Sequence, residues 1–214
     1  MSHHESAAKG ADARLVDRML FFTDAVFAIV LTLLALEMRP PPASVHDDDA
    51  LLQGILNTSR VFASYFVSFG LGAAFWVAHL RTSRMLHVWD WPTTVVNLVH
   101  LLTVGLLPYA ASLLGQHIGS GIAYYGYSGI ITAVSLTGAL FWLTATRDKG
   151  RLVGGMSLRV RAAGFLRTAA LGLAFGSGIL ITFALHRPEI GRYGWAAVVP
   201  LVLLSRLLAG REKM

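Results

Sequence analysis

Long apolar stretches, separated by short polar breaks, recur from one end of this sequence to the other. A helix that crosses the hydrocarbon core of a bilayer needs about 20 mostly apolar residues. Inside the bilayer every backbone N–H and C=O must be bonded within the protein, and a helix does this within a single segment. The stretches predict helices over roughly Arg18–Met38, Leu51–Leu86, Thr93–Leu114, Ile122–Thr146, Leu158–Leu185 and Arg192–Leu208. The expected fold is an all-α membrane protein with one six-helix domain over residues 18–209, between polar tails at 1–17 and 210–214. Alternation of strand type is absent. No internal repeat signals an inverted-repeat transporter.

Composition supports this reading. Charged residues make up 14% of the chain and the mean hydropathy is +0.58, whereas soluble domains carry about 25% charged residues. Little chain remains for a separate soluble domain. Residues 1–17 lack the apolar core and small-residue cleavage pattern of a signal peptide, so the first apolar stretch is read as a retained helix. Pro40, Pro41 and Pro42 end that helix, because proline lacks an amide donor and clashes with the preceding turn. The first turns of the second helix, Leu51–Arg60, are placed at the membrane interface. Asp90-Trp91-Pro92 marks a turn, and Pro108 is expected to kink the outer third of the third helix. Gly172, Gly176 and Gly178 permit close helix contact.

The net charge of +6 and the pI near 10.1 need no nucleic-acid partner, because basic residues concentrate in the cytoplasmic loops of membrane proteins. With the N-terminus inside, the inner segments hold Lys9, Arg14, Arg18, Arg81, Arg84, Arg147, Lys149, Arg151, Arg159, Arg161, Arg167, Arg206, Arg211 and Lys213, which is 14 of the 18 basic residues. The outer side keeps Arg39, Arg60, Arg187 and Arg192, together with the aspartates at 47–49. This asymmetry implies an even number of crossings, with both ends cytoplasmic. The absence of cysteine excludes disulfides and thiolate chemistry. No phosphate-binding glycine loop, zinc-protease pattern, nucleophile elbow or carboxylate pair is present, so no enzyme, cofactor or metal site is expected. Arg159, Arg161 and Arg167 form a basic cluster with two open readings, a contact with anionic lipid headgroups and no more than the start of the fifth helix.

The first helix carries most of the information. Asp24 sits in an apolar helix, where a carboxylate needs a partner. Arg18, His79 and Asn97 are the candidates. Two readings of Asp24 stay open, a polar network that holds helices together and a direct ion or proton site. At 100° per residue, Ile29, Leu33 and Leu36 fall within an arc of about 60°, and Phe22, Ala25 and Thr32 extend the stripe. Asp24 projects about 140° away from Ile29, toward the protein if the stripe faces a pore. Spacing alone does not separate a pore stripe from ordinary packing, because the helix is apolar nearly all round. On the second helix Tyr65, Phe69, Trp76 and His79 share a face. Asn97 on the third is a polar clamp between helices.

The run Arg18-x-x-x-Phe22-Thr23-Asp24, followed by Ala28-Ile29 and Thr32-Leu33-Leu34-x-Leu36-Glu37, resembles the transmembrane protein 175 family, the endolysosomal potassium channels and their prokaryotic relatives. Tyr65-x-x-Ser68-Phe69, Trp76-x-x-His79, Asn97, Leu101 and Leu107-Pro108-Tyr109 continue the match in the family's order across the first half of the chain. The second half matches only in hydropathy and helix count. One position departs from the family signature, which has serine where this chain has Thr23.

The resemblance implies a homotetramer of six-helix chains in a prokaryotic plasma membrane, surrounded by lipid. Four copies of the first helix would line a central potassium-permeable pore with no re-entrant selectivity-filter loop. The constriction rings of the family fall on Ile29, Leu33 and Leu36, with Thr32 as the nearby polar position. Arg18, Phe22, Thr23, Asp24, His79 and Asn97 would form the signature network. Potassium is then a permeant ion with no fixed ligand set. The alternative from a different class is a proton-coupled or other secondary transporter that uses Asp24 and His79. Its mark would be a saturable, coupled flux.

Overall fold

In the computed structural model, residues 3–42, 44, 46–185 and 200–201 are described. Among them the regular structure is entirely helical. The helices are α1 (His3–Leu36), α2 (Asp48–Asn57), α3 (Ser59–Ser83), α4 (Trp91–Val104), α5 (Leu107–Gln116), α6 (Gly121–Ala145), α7 (Arg147–Gly150) and α8 (Leu158–Leu185). Five segments are long and apolar enough to cross a membrane: Arg14–Leu36, α3, the α4–α5 pair, α6 and α8. The expected sixth helix, Arg192–Leu208, lies outside the described residues except at 200–201, which are helical.

Several boundaries differ from expectation, each for a local reason. The segment expected as an N-terminal tail is already helical from His3. Its alanines, Ala7, Ala8 and Ala11, are the strongest helix formers. The expected second helix divides at Thr58, whose hydroxyl bonds the Ile55 carbonyl at 2.7 Å instead of letting the helix run on. The short α2 ahead of this break buries none of its residues and exposes Leu51, Leu52, Ile55 and Leu56. The expected third helix divides at Gly105-Leu106 into α4 and α5. Pro108 cannot donate to the Val104 carbonyl, so the ladder breaks there outright.

The bundle is centred on α6, which packs against α3, α4, α5 and α8. Phe27 and Val30 of α1, Phe75 of α3, Val104 of α4, Leu107 of α5, Tyr127 and Ile131 of α6 and Phe175 of α8 share one core. Lipid is as apolar as these side chains, so close packing and polar ties hold the helices together where apolar burial from water does not act. The α6–α8 seam shows both. A Cβ on Gly172 would lie 2.8 Å from the Ser135 Cβ. Ser135 Oγ donates to the Thr168 carbonyl at 2.8 Å across the same seam. Ser64 Oγ likewise ties α3 to the Ala111 carbonyl of α5 at 2.7 Å.

A second cluster, Val16, Leu86, Trp89, Phe141, Ala145 and Leu152, closes one end of the bundle. At that end Asp90 caps α4 by accepting from the Thr93 amide at 3.1 Å. The Arg147 guanidinium also bonds Asp90 and so ties α7 to the start of α4.

Candidate functional site: the two faces of the first helix

Helix α1 has two chemically different sides. Val16, Thr23, Phe27, Val30 and Leu34 are buried in the bundle. They fall on one arc of the helix, opposite the stripe. On the other side Phe22 is 48% exposed, Ile29 58%, Leu33 41% and Leu36 71%. Ala25 and Thr32 are exposed on the same side. The single chain thus leaves a continuous apolar strip uncovered along α1.

Thr32 interrupts the strip with a particular geometry. Its hydroxyl lies 2.8 Å from the Ile29 carbonyl and 3.0 Å from the Ala28 carbonyl. The single hydroxyl proton is engaged with the helix, so what the oxygen offers outward is lone-pair density.

The buried side of α1 is held by polar bonds. Asn97 Nδ2 on α4 donates to Thr23 Oγ1 at 2.9 Å. Asn97 Oδ1 lies 2.8 Å from His79 Nε2 on α3, and His79 Nδ1 lies 3.1 Å from Ser83 Oγ. With the Asn97 amide committed to Thr23, its oxygen accepts from the His79 Nε2–H. Nδ1 then accepts from the Ser83 hydroxyl. Every polar atom in this four-residue chain finds a complementary partner within α1, α3 and α4. The His79 ring is further fixed by stacking on Phe141, with centroids 4.4 Å apart. On its other flank His100 lies parallel at 5.6 Å. His100 in turn bonds Thr137 of α6 at 3.0 Å.

Asp24 takes a different partner from those expected. Its carboxylate accepts from the Trp76 indole N–H on α3 at 2.9 Å. Asn97 and His79 are instead engaged with each other, and Arg18 is exposed and bonds none of the described residues. Phe22 lies on the exposed strip, outside the network. The structure therefore brings together Thr23, His79 and Asn97, and separately joins Asp24 to Trp76.

The sequence reading did not assign Trp76, Ser83, His100 or Thr137 to the network. A signal for Trp76 was present, because it lies one turn before His79 on the same helix. The expected aromatic face of α3 is in fact its flank. The buried stripe runs Ser64, Ser68, Gly72, Phe75, His79 and Thr82, while Phe69 is 40% exposed.

The family model described as the endosomal/lysosomal potassium channel TMEM175 matches residues 18–108, from Arg18 to Pro108. Over this segment the chain is similar to the TMEM175 family. Members of this family are ion channels, not enzymes. A potassium channel of Streptomyces collinus is 29% identical over 196 residues, covering 85% of this chain and 92% of that protein. A potassium channel of Chamaesiphon minutus is 28% identical over 136 residues, covering 62% of this chain and 67% of that protein. The crystal structure of a lysosomal potassium-selective channel TMEM175 homolog from Chamaesiphon minutus superposes with a TM-score of 0.64 at 24% identity. That match covers 94% of this chain and all of that one, and it shows a shared fold. The TMEM175 match window holds both faces of α1 and every partner of Thr23 and Asp24, while α6 and α8 lie beyond it.

Proposed function

We propose that the protein is a potassium-selective, leak-type cation channel, formed by four copies of the chain around a pore lined by α1. The observation that carries this reading is the division of α1 into two faces. One is keyed into the bundle by Thr23 and Asp24, and the other leaves Ile29, Leu33 and Leu36 uncovered along the helix. A strip of this kind on one helix is what a four-fold axis requires, since each copy supplies one wall.

Rings of Ile29, Leu33 and Leu36 form an apolar constriction that gates by dewetting. Thr32 supplies oxygen lone pairs next to it. No re-entrant filter loop takes part, so selectivity for potassium over sodium is modest and some proton leakage accompanies it. Both termini face the cytoplasm of a prokaryotic cell, and the tetramer sits in the plasma membrane in contact with its lipids. Asp24 and His79 are engaged with different partners, which gives no support to a carrier that would use them as one site.

Potassium flux into liposomes holding the purified protein tests this, with sodium substituted in parallel and valinomycin as the positive control. Non-saturating flux that favours potassium is the expected result. No flux from a preparation shown to be tetrameric would remove the channel reading and leave the fold standing.

A further inference from the structure

At the end of the bundle where α3 stops and α8 begins, the chain leaves an open groove of about 990 Å³. Its wall is made by the last turn of α3, the loop that leads into α8, and α8 itself. Arg81 and Arg84 reach it from α3 and Arg167 from α8. No carboxylate is among the described residues that line the groove.

His87 and Ser157 add polar groups to the lining, and Met85, Met156, Val153, Val160 and Trp142 make its apolar part. Trp142 is fixed in place. Its indole N–H donates to the Arg161 carbonyl at 2.9 Å. Its ring lies against Gly164, where a side-chain Cβ would collide with it. The groove is thus a built feature with a cationic rim and an apolar floor. It stands beside the end of the α3 candidate span at Ser83, where a helix of that length reaches the headgroup region.

We propose that this groove binds an anionic phospholipid, with Arg81, Arg84 and Arg167 holding the phosphate and the acyl chain lying along Met85 and Met156 over Trp142. Guanidinium groups match phosphate oxygens in pairs. A ligand that carries both phosphate and chain uses both halves of the lining, whereas a soluble phosphate uses only the rim. The site is separate from the α1 strip, and its occupancy does not depend on how ions cross the protein.

Native mass spectrometry of the intact protein in neutral detergent tests this, with dioctanoyl phosphatidylglycerol, dioctanoyl phosphatidylcholine and inorganic phosphate as probes. Phosphatidylglycerol is retained, and phosphatidylcholine and inorganic phosphate are not. Arg81→Gln and Arg84→Gln each weaken that retention by about tenfold or more, as expected for loss of a charged hydrogen bond. Arg60→Gln, an exposed arginine at the opposite end of α3 and outside the groove, leaves it unchanged. Equal retention of phosphatidylcholine, or no effect of the groove variants, overturns the proposal. Inorganic phosphate that competes on equal terms reassigns the groove to a soluble phosphate and overturns the lipid assignment. A photoactivatable phosphatidylglycerol on the unmodified protein gives a check that needs no variant. Adducts on the Met85 and Met156 peptides are expected, and adducts confined to other helices overturn the site.

Discussion

Asn97 donates to the Thr23 hydroxyl at 2.9 Å and thereby joins α4 to α1 in the interior of the bundle. The same side chain accepts from His79, so its removal strands two buried groups at once. Asn97→Leu keeps the volume and discards both bonds. A loss of about 1–3 kcal/mol is expected for each polar group left unsatisfied. A clear fall in the thermal unfolding midpoint in detergent is the measurement. A midpoint unchanged from wild type would mean that the network contributes nothing to stability.

At Thr23 the hydroxyl is the group that Asn97 engages. Thr23→Ser keeps the acceptor for Asn97 and is expected to be nearly neutral. Thr23→Val is close in shape but loses the oxygen, and should destabilise by about 1–3 kcal/mol. Equal midpoints for the two variants would contradict this account.

Asp24 and Trp76 are joined by a hydrogen bond between α1 and α3. Asp24→Ala and Trp76→Phe should each reduce assembly, read by size-exclusion chromatography, while the potassium-to-sodium flux ratio stays at the wild-type value. An intact oligomer with collapsed selectivity in either variant would instead place Asp24 in the conduction path.

The exposed strip gives the functional counterpart. Ile29→Ser or Leu33→Ser should raise potassium flux and lower its ratio to sodium, because a polar ring stays wet where an apolar one dries. Both residues are exposed in the single chain, so these variants leave the fold intact. Unchanged conduction from both would move the constriction elsewhere.

At the α6–α8 seam, Gly172→Ala brings a methyl group to 2.8 Å from the Ser135 Cβ. Overpacking of this kind costs about 1–3 kcal/mol. A lower unfolding midpoint with an unaltered flux ratio is expected.

The membrane helices were legible because each depends on a property summed over about 20 residues. The limits of α8 match the expected span, since Leu158–Leu185 is mostly apolar, with its three arginines confined to the first ten residues. The breaks at Thr58 and Gly105-Leu106 turn on single hydrogen bonds, and hydropathy is blind to those. The stripe on α1 follows from periodicity alone. The partner of Asp24 does not, because pairing across helices depends on relative depth and rotation. Three polar candidates stood nearer in chemical type than an indole. Trp76 won because α3 brings its N–H to the carboxylate, while His79 was already engaged by Asn97.

Thr23 and Asp24 are neighbours, so their side chains leave α1 about 100° apart. One is fastened to α4 through Asn97 and the other to α3 through Trp76. A helix fastened on two sides at one level behaves like a keyed shaft: it cannot spin without shearing both keys, but it can rock about them. Leu36 lies about 19 Å along the axis from this level and Ile29 about 8 Å, at 1.5 Å rise per residue. Rocking by about 5° therefore carries Leu36 sideways by about 1.6 Å and Ile29 by less than half as much, from the same rise. If four such shafts form the proposed ring, the aperture would widen first at Leu36 and last at Ile29, and Ile29 would decide when the passage is open.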